Sequence, residues 1–165
     1  MELAGSTGQG SAPQNGESFR ATVKAFYRGS KRPLKALMPE PAHENLRGKR
    51  FLVVEDEFLI LLDIQHILEG AGAAHVATAT RLAEAETMLA RDTFDAVLLD
   101  LKLDKETSLQ LAAKLAAQKI PFLFMTGAPG EANQAQAFGE VPVVGKPFDS
   151  AAMLAALSKA LAGRN

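Results

Sequence analysis

Cysteine is absent from the 165 residues of the chain. Its absence excludes disulfide bonds and thiolate metal sites, and it fits a reducing, cytoplasmic environment. No run of 18 apolar residues is free of charge, which excludes a transmembrane segment. The N-terminus also lacks a basic start followed by an apolar stretch, so we predict no secretory signal. The three histidines do not cluster as a tetrahedral metal site requires, and we interpret them as ordinary polar residues: His43, His66 and His75.

Charge is divided unevenly along the chain. Residues 1–50 contain nine Lys or Arg against four Asp or Glu, a net charge of +5. Residues 51–165 contain nine against fifteen, a net charge of −6. Binding along nucleic acid requires a basic surface that neutralises phosphates. The acidic part therefore does not have the charge of a nucleic-acid-binding domain, and we expect no direct binding to DNA.

Residues 1–47 are predicted to form an N-terminal extension that is mostly disordered. Residues 1–18 are rich in Gly, Ser, Gln and Asn and have too little apolar surface to fold. A short basic helix could follow, because several apolar side chains share one helical face: Phe19, Val23, Phe26 and Tyr27. Three interpretations stay open, namely a disordered leader, a helix packed on a protein, and a weak attachment to anionic lipid or nucleic acid.

From residue 48 onwards, short apolar runs alternate with helical patterns. The runs predict five strands, at residues 51–54, 75–78, 96–99, 121–125 and 141–144. Helical periodicity predicts five helices, at residues 58–69, 81–91, 108–119, 131–138 and 150–161. This alternation predicts an α/β fold, a flavodoxin-like (βα)5 three-layer sandwich with a parallel sheet in the order 2-1-3-4-5, over residues 48–165.

Polar residues follow four of the predicted strands at the point where each strand ends. Glu55 and Asp56 follow the first strand, Asp100 follows the third, Thr126 the fourth and Lys146 the fifth. Each residue alone is explained equally well by a helix cap, a solvated loop or a turn. Because the carboxyl ends of parallel strands meet at one edge, where ligands bind, the joint occurrence favours a functional site.

These residue types suit phosphoryl transfer to a carboxylate. An incoming phosphoryl group is repelled by the Asp100 carboxylate, and Mg²⁺ can offset that repulsion by bridging oxygen ligands. Lys146 would add a fixed positive charge, and the Thr126 hydroxyl would hydrogen-bond a phosphoryl oxygen. The candidate metal ligands are three carboxylates and one backbone carbonyl: those of Glu55, Asp56 and Asp100, and that of Lys102.

The phrases FLVVEDE, VLLDLKL, FMTG and GKPF, within residues 49–163, resemble the response-regulator receiver family of two-component signalling. The resemblance implies that Asp100 is the phosphoacceptor, which a sensor histidine kinase or a histidine phosphotransfer protein would phosphorylate. It also implies a cis peptide between Lys146 and Pro147. By the same resemblance, Glu55 and Asp56 would be the acidic Mg²⁺ pair. Thr126 would supply the switch hydroxyl, and Lys146 would be the phosphate-binding lysine.

One position departs from the usual receiver pattern. Val143 stands where receivers usually have Tyr or Phe. The phrase PFLFMTG is similar to the FAT GUY subgroup, which lacks that aromatic, although Met125 and Pro129 differ from the subgroup motif. We therefore predict a different switch, in which phosphorylation orders residues 127–140 by drawing Thr126 inward.

The expected output follows from the absence of a second predicted domain after the last helix. We expect a single-domain regulator that contacts a downstream protein target or serves as a phosphate sink, and we do not expect an enzyme. A weak homodimer is a further expectation. One alternative is a phosphatase of the haloacid dehalogenase type, but that family places a DxD pattern after strand one, where this chain has EDE. A second alternative is a pseudo-receiver that binds partners without phosphorylation.

Overall fold

The computed structural model describes residues 43–104, 106–128 and 130–163. The predicted helix at residues 19–27 lies outside the described residues. The sheet has five parallel strands in the order β2-β1-β3-β4-β5, which confirms the predicted order. The strands are β1 (Arg50–Val54), β2 (His75–Ala79), β3 (Ala96–Asp100), β4 (Phe122–Thr126) and β5 (Val143–Gly145).

Helices cover both faces of this sheet. They are α1 (Phe58–Gly70), α2 (Leu82–Arg91), α3 (Leu109–Ala117), α4 (Ala132–Ala135) and α5 (Ser150–Ala162). Successive side chains of a strand point to opposite faces, which is why a strand covered on both sides is apolar throughout. In β1, Leu52 and Val54 join the core that includes α3, whereas Phe51 and Val53 join the core that includes α1 and α5. None of the described helices has the length and apolarity needed to cross a membrane.

A side-chain cap begins α5 but not α2. Asp149 caps α5, because its Oδ2 accepts a hydrogen bond from the Ala152 N–H at 3.2 Å. The second helix was predicted from residue 81, but α2 begins at Leu82 and its N-cap position is Arg81, which makes no side-chain cap hydrogen bond. The Thr80 backbone N–H instead donates to Glu84 Oε2 at 2.9 Å. Glu84 thus reaches the backbone one residue before the N-cap, whereas in a capping box it would accept from the N-cap N–H itself.

The fourth helix is short, as its weak sequence pattern indicates. Its α-helical part comprises only Ala132–Ala135, and a 3-10 turn over Gln136–Phe138 continues it. The Phe138 ring packs edge-on against Phe122 and Phe124 of β4, with centroids 5.9 and 5.5 Å apart. The segment is therefore attached to the sheet mainly through the aromatic side chain at its end.

Two short elements were not predicted. A two-residue antiparallel ladder between Lys102–Leu103 and Glu106–Thr107 forms a hairpin after β3. A 3-10 turn at Glu44–Leu46 precedes β1, and Leu46 is fully buried in the core shared with α1 and α5. The side chains of Asn45 and Ser158 hydrogen-bond at 2.7 Å and hold this turn against α5. The packed core thus includes residues before position 48.

Candidate functional site

Three buried ionic side chains meet at the carboxyl edge of the sheet, as their positions after strands predict. Glu55 follows β1, Asp100 ends β3 and Lys146 follows β5. The Lys146 Nζ lies 2.7 Å from Glu55 Oε2 and 2.8 Å from Asp100 Oδ2. Backbone bonds continue the sheet through this point, because the Lys146 N–H donates to the Thr126 carbonyl at 2.7 Å. The strands therefore fix the positions from which these side chains project.

The acidic side chains form a cluster that suits a divalent cation. One carboxylate oxygen from each of Glu55, Asp56 and Asp100 lies within 4.8 Å of the other two. Mg²⁺ binds oxygen ligands in an octahedral shell, so a group of this size and chemistry fits the ion. Asp56 is exposed, and its Oδ2 accepts a hydrogen bond from the Asp104 N–H at 2.9 Å. The hairpin after β3 therefore restrains one member of the cluster.

Lys102 lies at the start of that hairpin, two residues after Asp100. Its backbone N–H donates to Asp100 Oδ1 at 3.4 Å, a long hydrogen bond. This contact involves the N–H of Lys102 and not the carbonyl that the sequence analysis names. Its carbonyl as a metal ligand stays a prediction.

Burial and neighbouring charge shift two pKa values in the site. Burial raises the pKa of the Glu55 carboxyl above its usual value, and the charge of Asp100 adds to this, while Lys146 opposes it. Burial alone would lower the pKa of Lys146, but hydrogen bonds to Asp100 and Glu55 outweigh it and raise the pKa. Lys146 is therefore a permanent cation at neutral pH. Glu55 and Asp100 share this single ammonium group, and Asp56 lies beside them. The cluster therefore has more acidic groups than one lysine can neutralise, and a bound cation would offset the excess negative charge.

The hydroxyl of Thr126, at the end of β4, is engaged by the loop that follows it. Its Oγ1 lies 2.9 Å from Glu131 Oε2 and 3.1 Å from the Ala128 carbonyl, and both are acceptors. The Ala128 N–H donates to the same oxygen at 3.2 Å. Sequence reasoning missed Glu131, because a contact across an irregular loop has no periodic signal. Thr126 is thus placed at the expected edge, with its hydroxyl held by the segment that leads to α4.

A cavity of about 700 Å³ opens beside the cluster. Asp100 and Lys146 lie on its wall together with Leu59 of α1 and Glu131. A phosphoryl donor can therefore approach Asp100 from solvent.

Further along the wall, the peptide between Lys146 and Pro147 is cis, as the resemblance implies. On β5, Val143 is 39% exposed.

A parallel five-stranded sheet with an acidic cluster and a lysine at its carboxyl edge defines the class of response-regulator receiver domains. The family model described as "Response regulator receiver domain" matches residues 51–158. The chain belongs to this family. Receiver domains bind Mg²⁺ through an acidic cluster, are phosphorylated by histidine kinases or phosphotransfer proteins, and are signalling proteins rather than enzymes of the usual kind.

Similar proteins include both curated relatives and solved structures. The alginate biosynthesis transcriptional regulatory protein AlgB of Pseudomonas putida is 42% identical over 69 residues, which cover 42% of this chain and 15% of AlgB. SdrG from Sphingomonas melonis Fr1 is 35% identical with a TM-score of 0.61, covering 69% of this chain and 96% of SdrG. The Francisella response regulator 1452 receiver domain is 16% identical with a TM-score of 0.61, covering 71% and 99%, and shows the fold alone. The chain thus matches only about 15% of the length of the AlgB proteins.

Proposed function

We propose that this receiver accepts a phosphoryl group on Asp100 from a histidine kinase or a phosphotransfer protein, in a reaction that depends on Mg²⁺. The observation that carries the proposal is the contact of 2.8 Å between Lys146 Nζ and Asp100 Oδ2, beside the carboxylates of Glu55 and Asp56. A buried carboxylate that is paired with an ammonium group and open to a cavity is the acceptor that such a transfer requires. No other site residue combines these properties among the described parts of the chain.

Each residue has a separate part in this reaction. The bond between phosphorus and the donor imidazole nitrogen breaks, and a bond between phosphorus and an Asp100 oxygen forms. The Lys146 ammonium group changes its hydrogen-bonding partner from a carboxylate oxygen to a phosphoryl oxygen. Its positive charge therefore stays beside the new anion. When bound there, Mg²⁺ would supply positive charge against the repulsion between carboxylate and phosphoryl group. Three carboxylates and one backbone carbonyl would hold the ion: those of Glu55, Asp56 and Asp100, and that of Lys102.

Phosphotransfer from a panel of histidine kinases tests the acceptor. We expect wild type to acquire a label that is acid-stable and hydroxylamine-labile, as an acyl phosphate is, and Asp100→Asn to acquire none. Asp104→Asn is the matched control, because Asp104 is exposed in the same loop and its φ of 52° suits asparagine. A label that persists in Asp100→Asn would contradict the assignment.

We further propose membership of the FAT GUY subgroup and a switch that orders residues 127–140. The phrase PFLFMTG and the exposed Val143, in the place of an aromatic, support the subgroup. The shortness of α4 supports the switch, since four residues are too few for an independently stable helix.

The proposed output is contact with a protein target, or service as a phosphate sink, in the cytoplasm. The net charge of −6 over residues 51–165 supports a protein target over direct DNA binding.

The limits 48–165 and 1–47 for domain and extension stay predictions, and the buried Leu46 favours a start a few residues earlier. Failure of every kinase in the panel to label wild type would favour the pseudo-receiver. Turnover of p-nitrophenyl phosphate would favour the phosphatase.

A further inference from the structure

The Thr126 hydroxyl lies within hydrogen-bond distance of two acceptors but can donate to only one of them at a time. A hydroxyl carries one proton, so it donates either to Glu131 Oε2 at 2.9 Å or to the Ala128 carbonyl at 3.1 Å. A hydrogen bond to a carboxylate is stronger than one to a neutral carbonyl. The resting hydroxyl therefore donates to Glu131.

Local backbone hydrogen bonds place Glu131 at the start of α4. Its backbone N–H donates to the Ala128 carbonyl at 3.0 Å, and its carbonyl accepts from the Gln134 N–H at 2.9 Å. The residue is only partly exposed, and it lines the same cavity as Asp100 and Lys146. Its carboxylate thus connects the end of β4 to the start of α4, on the wall of the cavity that Asp100 also lines.

We propose that Glu131 is a positioning residue that holds the Thr126 hydroxyl away from the phosphoryl site in the resting state. This inference rests on the proposed function, in which the same hydroxyl donates to a phosphoryl oxygen. Because one proton cannot serve both acceptors, phosphorylation must break the bond between Thr126 and Glu131. Breaking it ends the resting contact at the start of α4 and lets this segment adopt the arrangement of the phosphorylated protein, so Glu131 couples the phosphorylation state to α4.

The coupling predicts how substitutions of Glu131 change affinity for a phosphoryl mimic. Glu131→Ala removes both the acceptor and the negative charge, whereas Glu131→Gln removes the charge and keeps an acceptor oxygen. Loss of charge alone would tighten binding of an anionic mimic equally in both variants. In the alanine variant only the more distant Ala128 carbonyl, at 3.1 Å, still competes for the hydroxyl proton. Loss of the nearer acceptor therefore tightens binding further in that variant alone, by about threefold to tenfold.

The experiment measures the apparent Kd of beryllofluoride, with Mg²⁺ present, by NMR. It compares wild type with Glu131→Ala and Glu131→Gln, and uses Glu140→Gln as the matched control, because Glu140 is an exposed glutamate between α4 and β5. The same pair of Glu131 variants is then measured in a Thr126→Val background, which lacks the hydroxyl. This double-mutant cycle isolates the contribution that passes through Thr126.

We expect Glu131→Ala to bind the mimic more tightly than Glu131→Gln, and we expect the difference to vanish with Val at position 126. Equal affinities of the two variants, or a difference that persists without the hydroxyl, would overturn the inference. Failure of wild type to bind the mimic would instead overturn the proposed function, and the inference with it.

A second measurement, without the mimic, decides the case if the Thr126→Val proteins do not bind. The Ala128 N–H donates to Thr126 Oγ1, so its amide resonance reports the hydroxyl geometry. We expect this resonance to move in Glu131→Ala and to stay near its wild-type position in Glu131→Gln. An unmoved resonance in Glu131→Ala would refute the resting-state contact.

Discussion

The two sides of the functional edge are built differently. On the side of β1 and β3, all five residues of β3 are buried and α1 has 13 residues. On the side of β4 and β5, β4 is buried as completely as β3, but β5 has only three residues and α4 only four, of which Ala135 alone is buried. Long buried elements hold a fixed geometry, while short ones open at low cost in free energy. The acidic cluster thus belongs to the firm side, and the threonine contacts to the side that can change.

Removing the ammonium group that pairs with the carboxylates of the firm side is expected to have the largest effect in this comparison. Lys146→Met leaves the buried carboxylates of Glu55 and Asp100 without their counter-ion, which costs roughly 3 kcal/mol of unfolding free energy. Phosphotransfer should slow by about 100-fold, because a charge that stabilises the phosphoryl group is lost. Urea unfolding and kinase assays measure the two effects.

Lys114→Met is the matched control for that variant. Lys114 pairs with Glu86 on the exposed surface of the molecule. Exposed ion pairs contribute little to stability, so this variant should unfold and accept phosphoryl groups much as wild type does. Similar losses in both variants would remove the distinction between the buried cluster and the surface.

A second expected effect concerns how far the firm side extends before β1. Leu46 is fully buried although it precedes the predicted domain start. Leu46→Ala should lower the unfolding free energy by about 2–3 kcal/mol, through lost burial and the cavity left behind. Leu59→Ala is the control, because Leu59 is 79% exposed on α1. If the two alanine variants unfold at the same urea concentration, residues 43–47 do not belong to the core.

The smallest expected change is a local one on the looser side. Amide hydrogens in residues 127–140 should exchange quickly in the resting protein and more slowly once beryllofluoride and Mg²⁺ are bound. Amides of α1 should change little, which makes that helix an internal reference. Hydrogen exchange with mass spectrometry measures both. Unchanged exchange in 127–140, with the mimic demonstrably bound, would rule out the order–disorder switch.

The features predictable from the sequence are those with a repeating physical cause. Strands covered on both faces must be apolar, which located all five strands to within two residues at either end. Parallel connections bring strand ends to one edge, which predicted that Glu55, Asp100 and Lys146 meet. The largest errors in helix bounds are at C-terminal ends, since α3 ends at Ala117 where residue 119 was predicted and α4 ends at Ala135 where residue 138 was predicted.

The features that escaped prediction depend on single tertiary contacts. The hairpin after β3 has only two residues in each strand, too few for an alternating pattern. Leu46 follows a region rich in proline and reads as part of a linker, yet it packs beneath α5. The contact between Glu131 and Thr126 crosses an irregular loop, where spacing predicts nothing. In each case the three-dimensional neighbour, and not the local pattern, determines the interaction.

The central claim is that one acidic cluster and one lysine form an Mg²⁺-dependent phosphoryl site. The most direct test is to monitor binding of the phosphoryl mimic by NMR. With Mg²⁺ and beryllofluoride together, the largest shifts should fall at the ends of β1, β3, β4 and β5, and Asp56→Ala should abolish them. Neither component alone should produce the full change. Tight binding without Mg²⁺, or shifts centred away from Asp100, would contradict the account.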